Sequence, residues 1–409
     1  MFGPERLTAN VIPRGCHGPA CPRSSHLGAP AMLDHNFGGT PFSVGIEEEL
    51  MICDAESLEL AQAIDTILSD LPEGIPGEVK PELMQSVLEV ATMPCGGVAE
   101  AGEQLRELRQ VVREVGDRHG LAIGAAGTHP SALYEDQLIV DRPRYRELAA
   151  ELSWIAEQEL IFGTHVHVGI DHPEKAIYIA DGMRGYLPLL LAMSSNSPLW
   201  RGRKTGMMSS RTPVFRAFPR VGIPPYYGDW ATYSHRVEQM MKGGAIPDYT
   251  YLWWDVRPHP KLGTVELRVF DQQTRIEHTI GFAAFGQALA HRLSSEYEEG
   301  VPSVDYPQEL IDDNKVRASL TGIEGKLIDF DHGLEVPAEE MALGVIEDLR
   351  ENARALGCDE ELASLADLVE SGTGARRQLN WLADHGGIDG LMREIVAASD
   401  PTAPEPATE

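Results

Sequence analysis

Along this chain the spacing of apolar residues switches between two and nearly four, and each switch marks an element. Residues 43–50 read Ser-Val-Gly-Ile-Glu-Glu-Glu-Leu, with Val44, Ile46 and Leu50 alternating against polar neighbours. That alternation predicts a strand beginning near Pro41, with Glu47 and Glu49 on one face and Glu48 on the other. Leu58, Ala61, Ile64, Ile67 and Leu68 predict a helix over 57–70, closed by a Pro/Gly turn at 71–77. Residues 86–92 read as a strand in which Glu89 stands between Leu88 and Val90. A helix is expected at 99–119, striped by Leu105, Leu108, Val111, Val112 and Val115, followed by a strand at 121–127.

Helical spacing returns at 144–159. The stretch 160–170 then alternates, with His165 and His167 on one face and Phe162, Thr164, Val166 and Val168 on the other. A buried helix is expected over 176–193 and another helix over 231–242. Residues 249–257 are aromatic and β-prone. Residues 261–270 form a strong strand signal that places Glu266 and Arg268 on one face. From 275 to 400 the pattern is mostly helical, interrupted by a Gly/Arg turn at 372–377.

Residues 1–38 show no apolar period and read as a disordered extension, with Met32 as a candidate internal start; 401–409 read as a disordered tail. No repeat or linker divides the remainder, so 39–400 is expected to be a single catalytic domain with a helical C-terminal part. Cys16, His17, Cys21 and His26 lie close together, but their spacing fits no standard zinc finger.

Composition narrows the class. The chain has 409 residues, 43% of them hydrophobic, as in soluble globular proteins. With 34 basic and 63 acidic residues its formal charge is −29, which argues against a general binder of nucleic acid or anionic membrane. The longest apolar run, residues 186–193, is too short to span a bilayer. Five scattered cysteines and the absence of a secretory h-region suggest a cytoplasmic protein. One window departs from the acidic average. Residues 182–228 contain no Asp or Glu but hold Arg184, Arg201, Arg203, Lys204, Arg211, Arg216 and Arg220. It reads either as a positive surface for an anionic ligand or as a basic loop paired with acidic helices.

The chemistry follows from what the faces hold. Glu47, Glu49, Glu82, Glu89 and Glu266, with His165, could hold two or more divalent ions, because hard cations take oxygen ligands. Nearby arginines could hold phosphate. The combination suits phosphoryl transfer from Mg-ATP.

Five stretches in order carry a resemblance: Gly45-Ile-Glu-Glu-Glu-Leu50, Glu82 with Glu89-Val-Ala-Thr, Gly163-Thr-His-Val-His-Val168, Trp200-Arg-Gly-Arg203 with Ser210-Arg211, and Val265-Glu-Leu-Arg-Val-Phe-Asp271. Together they resemble the type 2 glutamate–cysteine ligase family, the carboxylate–amine ligases, over about residues 41–385. The resemblance implies an α+β fold: the curved, mainly antiparallel sheet backed by helices of the glutamine synthetase catalytic domain. It implies ATP as co-substrate, Mg²⁺ or Mn²⁺, glutamate, and an amine such as cysteine, joined through an acyl phosphate. It assigns Glu49, Glu82 and Glu89 to one metal ion and Glu47, His165 and Glu266 to the other. Arg268 matches a phosphate-stabilising residue, while Arg211, Arg201 and Arg203 lie where substrate or phosphate contacts are expected. The loop 204–210, with its Met207–Met208 pair, departs from many relatives, so the resemblance does not fix the amine. Two other readings stay open: a hydrolase with zinc on His165 and His167, and a non-catalytic member of the fold. Oligomeric state is left open too.

Residues 1–31 carry no feature that ties them to the core. Their removal is expected to leave melting temperature and turnover unchanged, checked on a chain that starts at Met32.

Overall fold

Alternation in the first strong strand sets the architecture. The computed structural model describes residues 32–403. Its sheet contains β1 (Val44–Asp54), β2 (Gly77–Pro81), β3 (Val87–Thr92), β4 (Leu121–Gly124), β5 (Gly163–Gly169), β6 (Val256–His259) and β7 (Thr264–Asp271). The strand order is β6-β7-β5-β1-β3-β2, with β4 on the C-terminal end of β1, and every pair is antiparallel.

One face of the sheet is covered by two long helices, α1 (Val98–Arg118) and α2 (Ile276–Glu298). Leu105, Leu108, Val112 and Val115 of α1 pack in one hydrophobic core with Val44, Ile46, Leu50 and Ile52 of β1 and with Val166 and Val168 of β5. Glu48 points into this apolar layer and is fully buried. Burying a lone carboxylate there would be prohibitive. Arg109 of α1 meets it as a fork, with Nε and Nη2 each donating at 2.6 Å. Gln272 Nε2 and Thr279 Oγ1 donate to the same carboxylate at 2.9 and 2.6 Å. Arg109 spends its remaining donors on the carbonyls of Gln273 and Thr274, both at 2.9 Å. Every member of the network has a partner, the condition under which a buried ion pair is tolerated.

The opposite face carries the other set. Across it, Glu47 sits between Ala91 and His165, Glu49 faces Glu89, and Glu266 lies between His167 and Arg257. Between Leu267 and Phe270 the β7–β5 register shifts. Arg268 lies in that irregularity, and its N–H donates to the Asp255 carbonyl at 2.7 Å, just before β6. Such a bulge re-aims a side chain.

Several expectations needed correction. The helix foreseen over 57–70 is only Ile64–Ser69. Asp54 Oδ1 instead accepts from the N–H groups of Glu56 and Ser57 and from Ser57 Oγ, a local turn that competes with helix formation. The helical stretch 144–159 breaks into Pro143–Leu152 and Trp154–Glu157 at Ser153, whose φ is 53°. The C-terminal part has the expected helices, Gln308–Thr321, Ala338–Leu356, Asp359–Ser371, Gly374–Asp384 and Ile388–Ala398, plus an unforeseen hairpin of Lys326–Asp329 and Leu334–Pro337.

Part of the expected 1–38 extension is also structured. Phe37 is buried edge-on against Trp230, and Asn36 donates to the carbonyls of Pro260 and Lys261. The Cys16–His26 group lies outside the described residues. Among the described residues, those from 33 to 403 form one compact unit. Among the described residues no helix is long and apolar enough to cross a membrane.

The Glu48–Arg109 pair gives a stability test. Arg109→Ala leaves a buried charge unpaired and is expected to cost about 3–5 kcal/mol in denaturant unfolding.

Candidate active site

The polar face of the sheet floors a cavity of about 290 Å³. Glu47, Glu49, Glu82, Glu89, His165, His167, Glu266 and Arg268 all line it. Alternation alone puts Glu47 with Glu49, His165 with His167, and Glu266 with Arg268 on this side. Glu89 arrives from β3, and Glu82 from the turn just beyond β2. The cavity thus gathers all six of the expected metal ligands, together with Arg268.

The two imidazoles are oriented from behind. His165 Nδ1 is 3.0 Å from Glu47 Oε2, and His167 Nδ1 is 3.0 Å from Thr264 Oγ1. Both Nε2 atoms are buried and without a hydrogen-bond partner. With Nδ1 directed at Glu47, the Nε2 of His165 faces the cavity, the arrangement found in metal-ligating histidines. His167 Nε2 is 3.6 Å from Glu47 Oε1 and 3.9 Å from Glu266 Oε1, and these three residues form a set of converging donor atoms. His165 Nε2 faces Glu49 Oε1 instead, at 3.9 Å. His167 therefore stands nearer to Glu266 than the assignment of His165 alone anticipates.

Charge is unevenly balanced across the cavity. Burial disfavours ionised Glu47, yet its hydrogen bond with His165 and the neighbouring His167 hold its carboxyl well below the usual range. Glu266 is also buried, and the Arg257 and Arg268 charges hold it well below that range. Arg257 Nε and Arg268 Nη1 each lie 2.5 Å from a Glu266 oxygen. At the other end, burial and then the neighbouring charge of Glu89 raise Glu82 well above the usual value. Burial and the charge of Glu47 push Glu89 up to about 7, despite Lys80 Nζ at 3.0 Å. Crowded carboxylates of this kind need cations. The donor set, rich in carboxylate oxygen with two imidazole nitrogens, fits hard divalent ions.

Arg211 lies against the cavity in an adjoining recess. Its guanidinium is laid over the backbone of Gly163, where an added Cβ would lie 2.4 Å from Nη2, so no larger residue fits at 163 without displacing it. Gly163 N–H meanwhile donates to Glu49 Oε2 at 2.5 Å.

Arg201 and Arg203 are not brought to the cavity. Arg201 pairs with Glu135 at 2.8 Å and lies over the Tyr134 ring, while Arg203 is exposed on a two-residue strand. The positive surface expected across 182–228 is largely dispersed in the same way. Arg184 pairs with Asp305, Arg216 with Asp312 and Arg220 with Glu151. Distant acidic residues, invisible to a local charge count, neutralise them.

Among the lining residues that went unforeseen are Lys80, Arg257 and Glu159. Lys80 faces Glu89 across the β2–β3 hairpin, a pairing that the turn at 85–86 could have suggested. Arg257 is set opposite Glu266 by the β6–β7 register. Glu159 enters from the loop before β5 and has no sequence signal.

Comparison with known proteins decides the family. The model of glutamate-cysteine ligase family 2 matches residues 43–395. The chain belongs to that family. A relative from Rubrobacter xylanophilus, under the provisional name glutamate–cysteine ligase 2-1, is 42% identical over 376 residues, covering 92% of this chain and all of its own. A Sorangium cellulosum relative with the provisional name glutamate–cysteine ligase 2 is 38% identical, over 88% of this chain and 96% of its own. Among solved structures, glutamate–cysteine ligase from Francisella tularensis in complex with AMP superposes with a TM-score of 0.66 at 14% identity, covering 90% of this chain and 91% of that one. A bifunctional glutathione synthetase from Pasteurella multocida gives 0.63 at 16% identity, over 89% of this chain and 53% of that one. These likenesses establish the α+β fold that the family shares.

The carboxylate excess predicts a thermal response. Mg²⁺ or Mn²⁺ is expected to raise the melting temperature of the metal-stripped chain, by an amount equivalent to about 2.7 kcal/mol at a hundredfold excess over Kd. Scanning fluorimetry with and without chelator checks it, and no shift would remove the metal assignment.

Proposed function

We propose that this chain is an ATP-dependent carboxylate–amine ligase that joins glutamate to cysteine. The observation that carries the reading is the cavity itself, where Glu47, Glu49, Glu89, His165, His167, Glu266 and Arg268 converge from four strands of a family 2 sheet. Glu49, Glu82 and Glu89 would hold one divalent ion. Glu47 and Glu266 would hold a second, with His165 and, on the distances, His167. Bound there, such ions supply charge neutralisation for phosphoryl oxygens.

In the reaction, the γ-phosphoryl group of ATP passes to the side-chain carboxylate of glutamate, giving ADP and an acyl phosphate. The cysteine nitrogen attacks the acyl carbon, the C–N bond forms, and inorganic phosphate leaves. Arg268 contributes a guanidinium fixed by Glu266 and therefore preorganised toward the charge that develops on the phosphoryl oxygens. Arg257 holds Glu266 from the far side and spends its remaining donors on the carbonyls of Thr250 and Leu252. It is a positioning residue.

The zinc hydrolase reading loses support because oxygen donors outnumber the two imidazoles in the cavity. A cytoplasmic setting is consistent with Cys53, Cys95 and Cys358, all buried free thiols. The test is ADP release and γ-glutamylcysteine detected by mass spectrometry, with Mg²⁺, ATP, glutamate and a panel of amines. ATP hydrolysis that no amine converts into an amide would overturn the ligase reading, and full activity on zinc alone would overturn the metal choice.

Arg268→Lys keeps a charge but loses the planar fork. It is expected to lower turnover by roughly 10²–10³-fold with a near-normal melting temperature. A sharply lowered melting temperature with normal specific activity would make Arg268 a structural partner of Glu266 instead.

A further inference from the structure

Outside the cavity and its recess the structure buries a further ion pair. Lys315, on the helix Gln308–Thr321, is 8% exposed, and Asp255, just before β6, is 3% exposed. Lys315 Nζ lies 2.5 Å from Asp255 Oδ2, and among the described residues neither has another ion-pair partner. Both border a void of about 10 Å³ that Arg211 and Val269 also line. A buried pair of this kind is weak evidence for stability, because apolar residues of similar volume often serve as well. Its direct consequence is positional, since it clamps the backbone on which Asp255 sits. The Asp255 N–H donates to the Gly222 carbonyl at 2.9 Å, and the Asp255 carbonyl accepts the N–H of Arg268 at 2.7 Å.

We propose that Lys315 is a positioning residue, which through Asp255 holds the irregular stretch of β7 that aims Arg268 into the cavity. The inference rests on the ligase reading for what Arg268 does there. The chain of contacts is independent of that reading.

Register shows why Arg268 needs support from outside its own ladder. The β7–β5 pairing shifts between Leu267 and Phe270, the stretch that holds Arg268 and Val269. On the other side, the β6–β7 pairing ends with Val256 opposite Leu267, one residue short of Asp255 and Arg268. The Asp255 carbonyl is therefore the anchor of the bulge on that side. At the far end of the side chain Glu266 fixes Nη1, but Nε is buried with no acceptor. A shift of Asp255 would move the Arg268 backbone and carry the guanidinium with it. The same helix reaches β7 a second time, at Asp271. The Ser319 carbonyl accepts the N–H groups of Met208 and Ser209, both at 3.0 Å, and Ser209 Oγ donates to Asp271 Oδ1 at 2.8 Å. Lys315 and Ser319 are four residues apart, so they lie one turn apart on one side of the helix. They hold β7 on either side of Val269 and Phe270, and a displacement of about 1 Å at a catalytic group can cost roughly 100-fold in rate.

The experiment uses the full chain with Lys315→Met, which keeps side-chain length and removes the charge. A double variant adds Asp255→Asn, so that no lone charge stays buried. ADP release in Mg²⁺, ATP, glutamate and cysteine gives kcat and KM per folded chain. Calorimetry gives the affinity for Mg²⁺-ADP with aluminium fluoride, a stand-in for the phosphoryl group in transfer. Lys315→Met is expected to lower kcat by roughly 10–100-fold, with KM for ATP and glutamate little changed, and to weaken the fluoride complex by a similar factor. The double variant should regain melting temperature and keep the lowered kcat; it carries the same comparison if Lys315→Met alone does not fold. In an Arg268→Lys background either change should add less than about twofold, because both act on one contact. Normal kcat in the double variant, or losses that multiply with Arg268→Lys, overturns the proposal and leaves the pair purely structural. A wild-type chain that binds the fluoride complex but forms no amide removes the ligase reading instead. Coupling of Lys315 with Arg268 in that binding then still supports the positioning role, and its absence overturns it.

Discussion

Six carboxylates, those of Glu47, Glu49, Glu82, Glu89, Glu159 and Glu266, border one cavity, and their mutual repulsion governs what surrounds them. At the β7 end two arginines and two histidines hold Glu266 and Glu47 as anions. At the β3 end, among the described residues, only Lys80 reaches Glu89, and burial pushes the proton affinities of Glu82, Glu89 and Glu159 upward. Glu159 is driven to about 8, by burial first and then by the charge of Glu49. This gradient lets one end remain fixed while the other stays receptive to added positive charge. A site of the kind proposed, taking up metal ions, needs such a deficit of cation, provided that the fold beneath it can bear the strain.

The fold bears it through the middle residue of the same triplet. Glu48 turns away from its neighbours and is locked by Arg109, Gln272 and Thr279 in the layer under the helices. The run Glu47-Glu48-Glu49 therefore serves two opposed purposes. Its outer members make an electrostatically uncomfortable surface, and its inner member anchors β1 to α1 and to the start of α2. Separation by the thickness of a strand keeps the two networks from neutralising each other.

Much of this was legible from alternation alone. Period two fixed the faces of Glu47, Glu48 and Glu49, of His165 and His167, and of Glu266 and Arg268, because a strand leaves a side chain only two directions. The helix over 99–119 was equally plain from its stripe. What escaped was whatever depends on pairing between distant segments. The Lys80–Glu89 contact, the seat of Arg257 opposite Glu266 and the bulge at Arg268 are properties of register, which a single strand does not reveal. Arg201 and Arg203 misled for the same reason: a local count of basic residues cannot see that Glu135 waits across a loop to neutralise one of them. Glu159 gave no signal because an isolated acidic residue after a broken helix is ordinary until a buried guanidinium lies in the same recess.

Antiparallel register here acts as a form of proofreading. If β5 slipped by one residue against β1, its side chains would exchange faces. His165 and His167 would enter the layer that now holds Ile46 and Leu50, and Val166 would enter the carboxylate cavity. Neither layer would tolerate the exchange, since one would hold unsatisfied imidazoles and the other would lose the groups that offset its charge. The sheet that assembles the candidate chemistry is therefore also selected against its nearest misfolded neighbour, and a chain that folds into this register arrives with its donor atoms already counted and facing the right way.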